Sequence, residues 1–167
     1  LFRSDEKLSR GLTQQMKLYY IPTTRAVRPR WLLEEMELPY ELVQVTMEMS
    51  RQPEYKTLHP HGKVPVLADQ KVTIYESAAI CAYLADEYPE LNFAPSLQSP
   101  ARGYYYQWLF YSSLTLEPPV EQYMFHVLPN LHTHPYFVHM VSNIVLIAKY
   151  DDGSSKCLRP VPSTFWA

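Results

Sequence analysis

The stretch Lys63-Val64-Pro65-Val66-Leu67, followed by Ile74-Tyr75-Glu76-Ser77-Ala78-Ala79-Ile80, decides how this chain folds. It reads as a strand entered through a proline, a tight turn, a returning strand, and a helix opened by an acidic–hydroxyl pair. Proline donates no ladder hydrogen bond, so Val64 beside it keeps its backbone groups free. A cis Val64–Pro65 bond would turn that edge outward as a template for an extended peptide. Glu76 and Ser77 fall where a helix N-terminus presents unpaired N–H groups to an anion. The combination suits a small, extended ligand that carries a carboxylate.

Working outward, Lys17-Leu18-Tyr19-Tyr20-Ile21 reads as a strand, and Pro22-Thr23-Thr24-Arg25 breaks it. A helix is expected over 27–37, with Pro29 in its first turn and Val27, Trp31, Leu32 and Met36 at helical spacing. Pro39 ends it, and 40–45 forms a second strand parallel to the first in a right-handed βαβ unit. A short helix over 53–58 and the loop His59-Pro60-His61-Gly62 lead to strands 64–68 and 72–75, antiparallel around Asp69-Gln70-Lys71. A helix over 77–88 follows, with Ile80, Cys81, Leu84 and Tyr88 on one face and Ser77 as its cap. The order β-α-β-α-β-β-α is thioredoxin-like.

Beyond it, 91–100 reads as a linker. Residues 101–116 form an aromatic-rich helix, most of whose rings are expected in a core, with Tyr105 and Tyr111 as candidates to line a second pocket. Glu117-Pro118-Pro119 is expected to interrupt that helix, which resumes over 120–128. The expected division is therefore a disordered extension over 1–15, an α/β domain over 16–90, the linker, a partial all-α domain over 101–129, and an atypical tail over 130–167.

With 47% hydrophobic residues the 167-residue chain can build a real core. A net charge of −2 without a Lys/Arg cluster argues against nucleic acid. The two cysteines, Cys81 and Cys157, form neither a disulfide framework nor a zinc site, which points to a reducing cytoplasm. Cys81 lies on an apolar helix face and reads as core. His126, His132, His134 and His139 share no helix face well, so no metal is expected. His59 and His61 read as polar loop contacts. The run 141–148 contains Ser142 and Asn143 and is too short to span a bilayer. Residues 1–15 are polar and unlike a signal peptide, and Met16 reads as a natural start.

The strings LYYIPTTRAVRPRWLLEE, LPYELV, HPHGKVPVL and ESAAICAYLADEYPE together resemble the cytosolic glutathione S-transferase superfamily, in its bacterial form. ARGYYYQWLFYSSLTLEP resembles the first long helix of that family's all-α second domain. The resemblance covers residues 16 to 129. Residues 130–167 do not resemble the family's further helices and read as a truncated or frame-shifted ending.

The resemblance implies a thioredoxin-like first domain that binds glutathione, a small electrophile as second substrate, a homodimer, and a role in detoxification. It puts the cysteinyl backbone of glutathione against Val64, ahead of a cis Pro65. The γ-glutamyl α-carboxylate falls at Glu76 and Ser77, and Lys63 approaches the glycyl carboxylate. A thiol of pKa about 8.5 is mostly protonated at neutral pH, so such an enzyme must favour the thiolate. Many relatives place a serine hydroxyl just after the first strand for this purpose; here that position is Ile21, which cannot donate.

The nearest hydroxyls are Thr23 and Thr24. Thr23 stands where the nu class uses a threonine and is the expected thiol donor, with Thr24 next and Arg25 as an auxiliary cation. Ordinary turn chemistry is the plain alternative for the threonine pair. Two rival functions stay open: a glutathione-binding relative with little transferase activity, and a glutathione-dependent disulfide reductase. The first β–α turn holds no Cys, so CxxC-type exchange is excluded there.

Overall fold

The computed structural model describes residues 16–126. Four strands, β1 (Lys17–Tyr20), β2 (Glu41–Gln44), β3 (Val66–Ala68) and β4 (Thr73–Tyr75), form one sheet in the order β2-β1-β3-β4. β1 and β2 run parallel; β3 is antiparallel to both β1 and β4. The period-2 alternation of strands places neighbouring residues on opposite faces. Leu18 and Leu67 pair toward one face, Tyr19 and Val66 toward the other.

The first face is covered by α1 (Val27–Glu35) and α3 (Ser77–Glu87). Leu18, Trp31, Leu32, Leu33, Met36, Leu67, Ile80, Cys81 and Leu84 form its core. The second face packs Val45 and Val66 against Tyr55 of the one-turn helix α2 (Pro53–Lys56), with Tyr19, Ile21, Leu58 and Val64 around them. Asp69 shapes the β3–β4 turn: its Oδ1 accepts from the N–H of Lys71 (2.7 Å) and of Val72 (2.8 Å), while Tyr83 of α3 donates to Oδ2 at 2.6 Å.

The expected thioredoxin-like order is the observed one, with shorter ends. α1 stops at Glu35, because the chain leaves the helix toward a left-handed Glu37 (φ 53°) ahead of Pro39. β3 begins at Val66 and β4 at Thr73, so Val64 lies outside the ladder.

After a 3₁₀ turn at Pro89–Leu91 come α4 (Ala101–Phe110), a π-helical turn at Tyr111–Leu116, and α5 (Glu117–His126). The expected interruption at Glu117-Pro118-Pro119 is corrected: α5 starts there. Pro118 and Pro119 have no N–H for the carbonyls of Leu114 and Thr115, and the chain just before them winds as a π turn in which the Glu117 N–H donates to the Ser112 carbonyl. Both prolines then sit in the first turn of α5, where no donor is needed. Buried Arg102 ties α4 back to α3: its Nη2 donates to both Asp86 oxygens (2.7 and 2.6 Å) and its Nη1 to the Pro95 carbonyl at 3.0 Å.

The aromatic run is also corrected. Tyr105 is buried, whereas Tyr104, Tyr106, Trp108, Phe110 and Tyr111 are exposed among the described residues. Among those residues, too, no helix is long and apolar enough to cross a membrane. The extension 1–15 and the tail 130–167, with His132, His134, His139 and Cys157, lie outside the described residues.

Candidate functional site

The edge at Val64 is built by the loop before it. Gly62 adopts φ +59°, and a β-carbon there would lie 2.3 Å from the Ser50 carbonyl oxygen, so only glycine fits the turn. Tyr55 donates its hydroxyl to the Lys63 carbonyl at 2.9 Å and holds the strand entrance. The Val64–Pro65 bond is cis. The β1–β3 ladder ends at Tyr19↔Val66, so the Val64 backbone lies beyond its last rung, where an extended peptide can pair. Its side chain packs with Ile21 on the Val45–Tyr55–Val66 cluster. Lys63 is exposed.

The other half is the start of α3. Glu76 holds the N-cap position with φ 75° and ψ 115°, a backbone region costing a non-glycine residue about 1–3 kcal/mol. Among the described residues no side chain caps this helix, and Ser77 does not make the expected cap. Ser77 is instead the first helical residue, 5% exposed, and its Oγ accepts from Arg28 Nη1 at 3.1 Å. Arg28 arises from the first turn of α1 and is 3% exposed.

Glu117, 7% exposed at the start of α5, receives Arg28 in a fork: Nη2 donates to Oε1 at 2.8 Å and Nη1 to Oε2 at 3.1 Å. Arg25 also donates to Glu117 through Nε, and to Glu121 Oε2 through Nη2 at 2.6 Å. Burial works against the Arg25 charge, but the hydrogen bond and charge of Glu117, with Glu121, raise its pKa above the ordinary value. Arg25 and Arg28, at the start of α1, thus meet Glu117 and Glu121 of α5.

Between the two halves lies His59, buried with its ring 4.4 Å from that of Tyr75. Its Nδ1 accepts from the His61 N–H at 3.2 Å. Burial lowers the His59 pKa, and the opposing pull of the Glu76 carboxylate does not restore it. A neutral imidazole with Nδ1 as acceptor follows.

In the first β–α turn Thr23 is exposed with φ 60°, unusual for a β-branched residue, and its hydroxyl donates to the neighbouring Pro22 carbonyl at 2.7 Å. Thr24 donates to the Ile21 carbonyl at 2.6 Å and accepts from the Ala26 N–H at 3.4 Å, which is turn chemistry. Cys81 is buried, and desolvation pushes its thiol up to about 12, as suits a core residue. Among the described residues no His, Cys, Asp or Glu side chains are grouped as they would be around a metal ion.

The structure therefore links Ser77 to Arg25 through Arg28 and Glu117, and keeps Lys63, Val64 and Pro65 on one loop. Arg28, Glu117, Gly62 and Tyr55 carry no role in the sequence pattern, whereas His59 makes the polar loop contact expected of it. A charged residue facing inward in the first turn of an amphipathic helix was the signal available for Arg28.

Residues 14–86 match the family model for the glutathione S-transferase N-terminal domain. Glutathione S-transferase 3 of Schizosaccharomyces pombe is 36% identical over 103 residues, which are 60% of this chain and 42% of that one. The dichloromethane dehalogenase of Methylophilus leisingeri is 34% identical over 93 residues, 55% of this chain and 35% of that one. Poplar glutathione transferase F1 superposes with a TM-score of 0.61 at 26% identity, over 69% of this chain and 56% of that one. The URE2P8 transferase of Phanerochaete chrysosporium, solved with oxidized glutathione, gives 0.64 at 24% identity over 82% of this chain and 65% of that one, a likeness of fold.

The chain spans about two fifths of the curated relatives named here. Relatives occur in fungi, plants and bacteria, so the comparisons single out no bacterial form. A sheet of order β2-β1-β3-β4, a cis Val64–Pro65 bond beyond its last rung, a helix start at Ser77 and these matches lead to one assignment: residues 14–86 are a glutathione S-transferase N-terminal domain.

Proposed function

We propose that the chain binds glutathione in its first domain and promotes attack of the glutathione thiolate on a small electrophile. The observation that carries this reading is the Ser77 hydroxyl, held by a buried arginine at the N-terminus of α3. Helix N–H groups and a hydroxyl with a cation behind it form a carboxylate site. The γ-glutamyl α-carboxylate binds there with Glu76 beside it, which leaves the cysteinyl backbone to pair with Val64 ahead of Pro65. Lys63 meets the glycyl carboxylate.

In this reading Thr23 supplies the hydrogen bond that favours thiolate, assisted by the N-terminus of α1 and by the Arg25 charge. The hydroxyl of Thr24 is committed to the Ile21 carbonyl inside the turn, so Thr23, exposed and bonded only to its neighbour, is the better donor. A cytoplasmic homodimer belongs to the same proposal, supported by the exposed aromatic side chains of α4.

The test is retention of the full chain on immobilised glutathione, followed by conjugation of a chloronitrobenzene-type electrophile and of dichloromethane. Retention with conjugation supports the proposal; absence of retention removes it. A second reading, binding with little transferase activity, is favoured by both threonine hydroxyls donating to backbone carbonyls. Retention without conjugation selects that reading, and reduction of hydroxyethyl disulfide selects a disulfide reductase.

A further inference from the structure

The cluster Arg25–Arg28–Glu117–Glu121 crosses between the two domains, and one of its members touches Ser77. A hydroxyl has one proton to donate and two lone pairs to accept with. Arg28 Nη1 occupies a lone pair of Ser77 Oγ at 3.1 Å. A hydroxyl that accepts from a guanidinium turns its own proton away from that cation. The proton is thus left for an acceptor on the other side of Ser77, where the N-terminus of α3 attracts anions.

Arg28 holds this position because Glu117 grips it in a two-bond fork, with both side chains buried. A guanidinium fork is directional, so the carboxylate fixes the plane in which Nη1 points at Ser77. Among the described residues the Arg28 Nε is buried with no hydrogen-bond partner, and the hydrogen bonds that orient the guanidinium go to Glu117 and Ser77. Glu117 belongs to α5, outside the 14–86 match to the family, yet through Arg28 it is connected to a hydroxyl at the start of α3.

We propose that Glu117 is a positioning residue for glutathione: through Arg28 it directs the Ser77 proton to the γ-glutamyl α-carboxylate, so that the second domain sets the affinity of the first. The proposal rests on the reading of Ser77 as the carboxylate site. It assigns to the Arg25–Glu121 pair the lesser task of holding Glu117 from its exposed side.

The test compares glutathione with γ-aminobutyryl-cysteinylglycine, which lacks the α-carboxylate, by calorimetry on the full chain. Glu117→Gln keeps the shape of the side chain and removes the charge. It is expected to weaken glutathione about tenfold, the worth of one charge-assisted hydrogen bond, and to leave the analogue within twofold. In a Ser77→Ala background the Glu117→Gln change should have no further effect on glutathione. Glu117→Asp, which keeps the charge and retracts it by one methylene, takes over the same comparison should Glu117→Gln lose its cooperative unfolding.

Equal weakening of glutathione and analogue would mean that Glu117 is only structural, and overturns the inference. Full effect of Glu117→Gln in the Ser77→Ala background overturns it as well. Failure of the unmodified chain to bind glutathione overturns the site itself and the inference with it, a result distinct from the other two.

Discussion

Gly62 and the Ser50 carbonyl are packed so closely that a β-carbon on Gly62 would lie 2.3 Å from that oxygen. Ser50 is itself buried, so its backbone has little room to move away. Gly62 also stands at φ +59°, which an L side chain adopts only at a cost. Gly62→Ala is expected to lower stability by about 2–4 kcal/mol in urea unfolding, clash and backbone together. Because Gly62 leads directly into Lys63 and Val64, glutathione binding should fall with it, whereas alanine at exposed Gly103 on α4 meets nothing within 4 Å and should be tolerated.

Arg102 concentrates the joint between α3 and α4. Its Nη2 donates to both Asp86 oxygens and its Nη1 to the Pro95 carbonyl, and it lies 4.7 and 4.8 Å from the ring centres of Tyr105 and Tyr106. Asp86 is partly exposed, so the ion pair is screened and its value reduced. Arg102→Ala should cost about 1–3 kcal/mol, from lost hydrogen bonds and stacking together. Arg102→Lys should recover only part of this, since one ammonium does not serve Asp86 and the Pro95 carbonyl together and does not stack on the tyrosine rings as a guanidinium does. Thermal unfolding of the two variants beside the unmodified chain gives the comparison.

Cys81 gives stability a pH dependence. Burial raises its thiol from 9.0 to about 12 in the folded chain. The unfolded chain loses this proton first as pH rises, so the folded state binds more protons between those values. The contribution of Cys81 to stability is therefore complete below pH 9 and lost progressively toward about 12. In a Cys157→Ser background, iodoacetamide at pH 8 should leave Cys81 unmodified until urea unfolds the chain. Rapid labelling without denaturant would contradict the burial.

The two threonines of the first turn should separate cleanly. Thr24 bridges the Ile21 carbonyl and the Ala26 N–H, so Thr24→Ala should cost about 1 kcal/mol of stability. Thr23 is exposed and bonded only to its neighbour, so Thr23→Ala should change stability by no more than about 0.5 kcal/mol. If Thr23 is the thiol donor, the same variant lowers kcat/KM for conjugation about tenfold while glutathione is still bound. Unchanged turnover would sink the Thr23 assignment.

The legible parts of this protein are those written by local pattern. Val64-Pro65 and Glu76-Ser77 announce themselves through a missing N–H and a helix start, each within a few residues, and the sheet follows from strands whose alternation shows in Leu18–Tyr19 and Val66–Leu67. The contact between Arg28 and Glu117 spans 89 positions, and no local rule pairs them. Glu117-Pro118-Pro119 misled for a different reason. Proline breaks a helix interior but suits a first turn, and only the preceding π turn decides which applies. The aromatic residues of α4 misled because hydrophobicity suggests burial without naming a partner to bury against.

Calorimetric titration of the full chain with glutathione, beside its Ser77→Ala variant, tests the central claim most directly. Saturable binding to the unmodified chain is expected, with affinity about tenfold weaker in Ser77→Ala and cooperative thermal unfolding of both chains. Absence of binding to the unmodified chain, or equal affinity in the variant, would contradict it.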